Sequence, residues 1–322
     1  MSAPFTILLS AAGRRVALLR LLRADAAALG LTPRIIALDR VPHLSAACAL
    51  ADLALAAPAA TDPGFGDFVV ETCRQHQVRL VIPTIDSELP AMAAIAPALR
   101  QAGTMVNISA PEAVAVARDK LATMRALAEA GIAVPRTGTA SEAASWGVEL
   151  IAKPRGGSAS IGVRLVGPAD LAGLADEMLV QERLVGEEYT VNLFVAGGRT
   201  VAAVPHWRRA VRAGEVEKGI TRRHKGLAAI AARLPAAVPG FWGALCFQAI
   251  DTADGPKVFE INARFGGGFP LAHAAGAPFT RWLIAQAAGL NETPHDEWQE
   301  GTTMLRYDEA VFGRSEDPAW RA

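Results

Sequence analysis

The sequence predicts an α/β protein in two parts: a mostly parallel sheet wrapped by helices, then a region built on antiparallel hairpins. Three observations carry that expectation. Short apolar runs alternate with helically spaced segments over the first hundred residues. Beyond residue 180, strand-like runs are joined by short glycine-containing turns. The length, 322 residues, is about twice a usual domain, and a 51% hydrophobic content is ample for two cores.

Each element follows from local pattern. Phe5–Ser10, Arg34–Asp39, Leu80–Pro83 and Met105–Ile108 read as short buried strands, and Arg15–Leu29, Gly66–Gln75 and Pro90–Ala102 as the helices between them. Ligand sites in such sheets lie beyond the carboxyl ends of the strands. Near Ala110-Pro111 the pattern changes. Pro111–Ala117 and Lys120–Ala130 read as helices, the second closed by Gly131. Glu149–Lys153 and Val163–Val166 are strands flanking the loop 154–162, and Pro168–Met178 has helical spacing. Glu188–Val195 with Arg199–Pro205, and Ala244–Asp251 with Pro256–Asn262, form two hairpins; Leu227–Leu234 and Thr280–Ala288 are helices. The segment after Gly289 mixes Pro, Trp and charge and carries no clear period.

Composition excludes several classes of function. Net charge is zero, which gives no electrostatic case for nucleic acid or an anionic membrane. No apolar run is long enough to cross a bilayer, and Met1–Leu9 lacks the basic start of a signal peptide. Cys48, Cys73 and Cys246 are odd in number and widely spaced, as expected of reduced thiols in a cytoplasmic protein. The six histidines show no metal-ligand spacing.

The chemistry concentrates in Phe259-Glu260-Ile261-Asn262-Ala263-Arg264, followed by three glycines. On a strand Phe259 and Ile261 face one way and Glu260 and Asn262 the other. A carboxylate and an amide oxygen side by side suit Mg²⁺, which shares its hard oxygen ligands with nucleotide phosphates. Arg264 suits the phosphate itself. Lys153 ends a strand and precedes a Gly/Ser loop, Gly156-Gly157-Ser158-Ala159-Ser160-Ile161-Gly162, whose backbone N–H groups can wrap phosphate oxygens; a Walker lysine motif is absent. Gln181-Glu182 and Leu184 to Glu188 join two candidate lobes.

Taken in order, Arg118-Asp119-Lys120, Ala152-Lys153-Pro154 with its glycine loop, Gln181-Glu182 to Gly186 and Glu188, Phe247-Gln248, and Glu260 to Arg264 resemble the ATP-grasp superfamily. The likeness is to the carbamoyl-phosphate synthetase large subunit and to stand-alone carboxylate–amine ligases. It implies a Rossmann-like domain over 1–110 and a two-lobed ATP-grasp domain over 111–322, with a mobile lid at 124–182 and a metal and phosphate lobe at 183–322. It implies ATP and Mg²⁺ as cofactors. Lys120 and Lys153 would hold phosphates under the flap of Gly156, Gly157, Ser158, Ser160 and Gly162. Gln181, Glu182 and Leu184 would form the adenine hinge, with Glu182 on the amino group and Glu188 on the ribose. Gln248, Glu260 and Asn262 would be the metal ligands, although many relatives carry an acid at the first position, and Lys153 and Arg264 would steady the transferred phosphoryl group. The implied reaction joins a small carboxylate to an amine, often an amino acid; homodimers are common in such families. The alternatives are a phosphotransferase that makes an acyl or carbamoyl phosphate, and a nucleotide-binding regulatory subunit.

Substrate determinants are open at three places. Asp86 and Glu88 follow a strand, where they can bind a substrate ammonium or hydroxyl, or simply stand in the first turn of a helix capped by Thr84 or Ser87. Arg212 and Lys218 lie in a charged run, 208–218, that reads as a loop and can either bind an anion or face solvent. Gly13 and Asp39 sit where a dinucleotide fingerprint would, but Arg14 and Arg15 are too bulky for it, which leaves Arg14 as a substrate-pocket residue.

Overall fold

The computed structural model describes residues 3–157, 162–175 and 177–314. The elements run β1 (Phe5–Leu9), α1 (Val16–Ala28), β2 (Pro33–Asp39), α2 (Ala46–Leu50), β3 (Leu53–Ala56), α3 (Phe65–Gln75), β4 (Val78–Ile82), α4 (Leu89–Gln101) and β5 (Met105–Val106). The five strands form one parallel sheet in the order β3-β2-β1-β4-β5. All five β1 residues are buried, as expected for a strand covered on both faces. Its alternating side chains serve two cores: Leu8 in one, Ile7 and Leu9 in the other.

Next come α5 (Pro111–Arg118), α6 (Lys120–Glu129), β6 (Thr137–Gly138), α7 (Ala140–Ala143), β7 (Leu150–Pro154), β8 (Arg164–Val166) and β9 (Met178–Glu182). Strands β6-β9-β7-β8 make a small antiparallel sheet with a satellite core of six buried residues, among them Leu150, Val166 and Val180. The helix expected over Pro168–Met178 is instead a 3₁₀ turn at Pro168–Gly173, and Met178 already belongs to β9. Leu171 is the only residue of that turn that is buried, so a longer helix would have no apolar stripe to cover.

The remaining elements are β10 (Glu187–Ala196), β11 (Arg199–Arg212), β12 (Glu215–Thr221), α8 (Lys225–Ala237), β13 (Gly243–Thr252), β14 (Gly255–Asn262), α9 (Phe269–Ala274), α10 (Phe279–Ala288) and β15 (Thr303–Leu305). They build a six-stranded antiparallel sheet ordered β14-β13-β10-β11-β12-β15. The charged run expected to be a loop is a hairpin: β11 continues to Arg212 and turns through Ala213 (φ 51°) and Gly214 (φ 77°) into β12. Two successive positive φ values match the twist of the flanking strands.

The large sheet and the N-terminal sheet are not separate bodies. Both main core clusters draw side chains from each: Leu8 and Ile36 pack with Val191 and Phe247, and Ile7 and Leu9 with Phe194 and Phe279. The Asn107 side chain accepts from the Ala244 N–H (2.8 Å), and the Ala110 N–H donates to the Gly240 carbonyl (2.9 Å). Among the described residues, no helix is long and apolar enough to cross a membrane. The three cysteines are free and buried.

Candidate active site

Three cavities join end to end where the two larger sheets meet the small one. The first, about 150 Å³, lies between the small sheet and the β13–β14 hairpin. Its walls include Lys120, Lys153, Gly156, Gly157, Gln181, Glu182, Leu184, Glu188, Gln248, Phe259 and Glu260. Ser158 and Ser160 of the expected flap lie outside the described residues. Gly162 closes the far root of that loop, where a Cβ would come within 3.1 Å of the Pro154 ring. Gly186 in the hinge has φ +156°, and a Cβ there would fall 2.0 Å from the Asp251 carbonyl oxygen, so only glycine fits.

Lys153 is 6% exposed, donates to the Phe259 carbonyl at 3.3 Å, and sits 5.5 Å from that ring's centroid. Burial pushes its ammonium down to about 8, against an upward pull from Glu260, and Lys120 adds to the lowering. Glu260 is pushed up by burial, opposed by Lys120 and Lys153, and makes no hydrogen bond or ion pair among the described residues. Lys120 is tied to the loop root: its ammonium donates to the Gly157 carbonyl (2.8 Å) and its backbone N–H to the Arg155 carbonyl (3.0 Å). Asp119 both caps α6 and pairs with Arg155.

The strict alternation expected for β14 fails at one residue. The register slips between Gln248 and Ala249, leaving Phe259 as a bulge, so Phe259 and Glu260 both line the cavity while Val258 and Ile261 both enter the core. Phe259 is therefore a wall of the site, not the partner of Ile261.

The middle cavity, about 120 Å³, shares Gln248 and Glu260 with the first and adds Asp86, Arg208, Asn262 and Arg264. Arg264 is 9% exposed and pairs with Asp86 at 2.7 Å. Its guanidinium also donates to the Asn262 side-chain oxygen (2.9 Å) and the Phe265 carbonyl (3.0 Å). Arg208 donates to the Gln248 side-chain oxygen (2.7 Å) and pairs with Glu188 (2.8 Å). Four buried side-chain polar atoms lack a partner among the described residues: Asn192 Oδ1, His206 Nε2, Arg208 Nε and Arg264 Nε. The two arginines line this cavity, and Asn192 and His206 lie under the glycines that close it, where a Cβ on Gly268 would fall 2.6 Å from His206 Nε2. Unmet polarity is thus gathered at one place, as at a ligand site.

These contacts give each expected site residue a partner within the protein or leave it open. Of the three expected metal ligands, the Gln248 and Asn262 oxygens are engaged by guanidinium groups, and only the Glu260 carboxylate is free. Among the described residues, no group of three or more His, Cys, Asp or Glu is arranged to hold a metal by itself. A single half-buried, unpaired carboxylate still fits Mg²⁺ of the kind that takes most of its oxygens from phosphates and water. The Glu182 carboxylate, expected on adenine, is held by Lys257 at 2.6 Å, and Glu188, expected on ribose, is held by Arg208. Asp86 lies in the site, but as the acid partner of Arg264. Glu88 is fully buried: it accepts from the Thr84 and Ile85 N–H groups (2.6 and 3.0 Å) and from the Ser10 hydroxyl, while the Thr84 hydroxyl donates to the Ser10 and Ala11 carbonyls and caps no helix. The Asp39 carboxylate likewise accepts from the Gly13 N–H (3.0 Å).

The outer cavity, about 420 Å³, shares Arg15, Thr84, Glu215, Gly266 and Gly267 with the middle one. Arg14 and Arg212 line it, as expected of substrate-pocket residues. Lys218 does not: along β12, Glu215 and Glu217 face the cavity, while Lys218 is exposed elsewhere. Sequence reasoning missed Arg15, Glu215 and Arg306. Glu215 accepts from both arginines at 2.7 Å, tying α1 to the tail beyond β15. Burial raises the Glu215 carboxyl, but Arg15 and Arg306 outweigh it and hold the group near about 2.

Comparison with known proteins agrees with this geometry. Residues 7–107 match the PylC-like N-terminal domain family, and residues 117–268 match the ATP-grasp domain family. A probable alpha-L-glutamate ligase of Psychromonas ingrahamii is 30% identical over 190 residues, covering 50% of this chain and 60% of the relative. The biotin carboxylase domain of Hydrogenobacter thermophilus 2-oxoglutarate carboxylase, solved with MgADP and bicarbonate, superimposes with a TM-score of 0.72 at 14% identity, over 93% of this chain and 73% of that one. The L-amino acid ligase of Bacillus licheniformis gives 0.68 at 16% identity, over 92% and 76%. The chain thus carries an ATP-grasp domain, over 117–268, behind a PylC-like N-terminal domain, over 7–107.

Proposed function

We propose that the protein is a Mg·ATP-dependent ligase that activates a small carboxylate as an acyl phosphate and transfers the acyl group to an amine, releasing ADP and phosphate. The observation that carries this reading is the continuity of the cleft. A lysine-rooted cavity under the glycine loop opens at Gln248 and Glu260 into a chamber walled by Arg264, and that chamber opens at Arg15 into a larger cavity. A nucleotide and two further reactants can therefore line up in one channel. The similarity to a named glutamate ligase and to an L-amino acid ligase fold supports the same class.

In this reading the nucleotide enters the first cavity, with its base between Ile151, Val163 and Ile250 and its phosphates toward Lys120 and Lys153. Lys153 is already desolvated, so its charge acts on phosphate oxygens without screening by water. Glu260 would hold Mg²⁺, with Gln248 and Asn262 at hand once their guanidinium partners turn to phosphate. The ion would supply charge neutralisation between nucleotide and carboxylate. Arg264 exchanges Asp86 for the phosphoryl group in flight, and the carboxylate attacks the γ-phosphorus in line. The loop 154–162 covers the acyl phosphate against water. The amine then attacks the acyl carbon from the outer side, and phosphate leaves.

The test is ADP and phosphate release from Mg·ATP with pooled carboxylic acids, with and without pooled amines, and Glu260→Ala as control. Release that needs both pools and vanishes in the variant supports the ligase. Release with acids alone, trapped as hydroxamate, replaces it with a phosphotransferase. ATP binding without turnover in any pool replaces it with a regulatory nucleotide site.

A further inference from the structure

The outer cavity is lined by five arginines and four acids. Arg20 and Arg212 are matched: Arg20 pairs with Glu309, and Arg212 with Asp308 and Glu217. Arg15 and Arg306 instead share the single carboxylate of Glu215. Arg14 makes no hydrogen bond or ion pair among the described residues; its charge reaches only as far as helping to hold down the Asp308 carboxyl, whose main partner is Arg212. Two guanidinium groups thus share one carboxylate at the opening to the middle cavity, and Arg14 adds a third on the exposed wall of the outer cavity. Much of the remaining wall is apolar, with Phe265, Phe269 and Pro270 from one stretch of the chain and Leu305 of β15 and Val311 of the tail from another.

We propose that this cavity is the subsite of the attacking amine, and that the amine carries its own carboxylate beside an apolar side chain: an apolar amino acid, anchored on Arg14 and on the pair of arginines bridged by Glu215. The assignment rests on the ligase reading above. The carboxylate supplies the anion that the three arginines lack. The side chain lies against Phe265 and Phe269, and the amino group points through the opening toward Glu260 and Arg264. Glu215 is a positioning residue: it fixes two guanidinium groups that come from opposite ends of the chain, and its own charge keeps them from repelling each other.

The experiment uses the full chain and two readouts. Calorimetric titration with Mg·ADP present compares a pool of apolar amino acids with the pool of their primary amides. Steady-state kinetics compares the same pools as acceptors. Free-carboxylate acceptors should bind and react about ten- to a hundredfold better, the range of one charge-assisted contact. Arg14→Met should remove most of that preference and leave the KM for ATP unchanged; Arg14→Lys should restore part of it. Arg306→Met should lower the preference too, which covers the case of one arginine replacing another. Equal binding of acids and amides by the unaltered protein overturns the proposal, as does a preference that survives both methionine variants. The two readings separate cleanly. Turnover without carboxylate preference removes the subsite and keeps the ligase. Carboxylate-selective binding without turnover in any pool keeps the subsite and removes the ligase.

Discussion

The two ends of the cleft handle charge in opposite ways. At the nucleotide end, Lys153 on the small sheet is buried and Glu260 on β14 is half-buried and desolvated by its neighbours, and neither forms an ion pair. At the outer end, Arg20 and Arg212 are part-exposed and paired with Glu309 and Asp308, and Arg15 and Arg306 are part-exposed and share Glu215. An unpaired buried charge is costly unless something arrives to meet it, so the inner end is organised around a ligand. A network of part-exposed ion pairs costs little and can be rearranged by exchanging one partner, so the outer end is where binding preference can change without disturbing the fold.

The largest effect that would sharpen this contrast belongs to Glu260→Gln. It keeps the shape and removes the charge. ADP formation should fall by about 10²–10³-fold, as for loss of one preorganised electrostatic group, while the thermal midpoint holds or rises, because a half-buried carboxylate no longer has to be desolvated. A drop in stability matching the loss of activity would mean that Glu260 holds the fold together and not a ligand.

Acid–base behaviour separates the ends next. Burial brings the Lys153 ammonium down to about 8, so it is charged below that pH and neutral above it. If the charge binds phosphate, kcat/KM for ATP should decline as pH rises through about 8. Lys153→Arg should move that decline out of range, since a guanidinium stays protonated. An unchanged pH profile in Lys153→Arg would assign the limb to another group.

Between the ends, Gly268→Ala tests the packing of the glycine turn. The added methyl meets His206 Nε2 at 2.6 Å and Val216 Cγ1 at 2.9 Å, and His206 is fully buried with no room to retreat. Overpacking of this kind costs about 1–3 kcal/mol, readable by denaturant titration. Burial also holds the His206 imidazole down at about 3, with Arg208 and Arg306 adding to it, so the ring stays neutral in the folded state. Because the unfolded chain protonates first, stability should be lost as pH falls from about 6.5.

The smallest effect is expected from Arg212→Ala. Its partners Asp308 and Glu217 lie at the solvent side of the outer cavity. The KM of the acceptor should change by no more than about threefold, and less at high salt. A change as large as that of Glu260→Gln would erase the distinction between the two ends.

The same contrast explains what could be read from the sequence. The inner end is written in short runs: Lys153 before its glycines, Glu260 to Arg264 on one strand, Gln181 to Glu188 in one linker. Local periodicity reaches such groups, and it slipped only at Phe259, because a bulge leaves no mark in composition. The outer end is assembled from residues far apart in the chain. Arg15 and Arg306 meet on Glu215 from 200 and 91 positions away, and no spacing rule joins them. Arg15 was legible only as a side chain too bulky for a dinucleotide, and Arg306 sits in a tail without period. Glu88 shows a third limit: a carboxylate in a first turn reads alike as a structural group or a contact until its burial is known.

The division of the hydrophobic cores has a consequence for how the molecule comes apart. The parallel sheet and the six-stranded sheet share two clusters, whereas β6–β9 rest on a satellite of six buried residues. The small sheet is therefore one packing unit, and the two larger sheets with their shared cores are another. The smaller unit can open while the larger stays intact. Because it carries Lys153 and the glycine loop, a bound nucleotide bridges the two units and couples their amide exchange, so that occupancy of the cleft is reported by protons far from any phosphate.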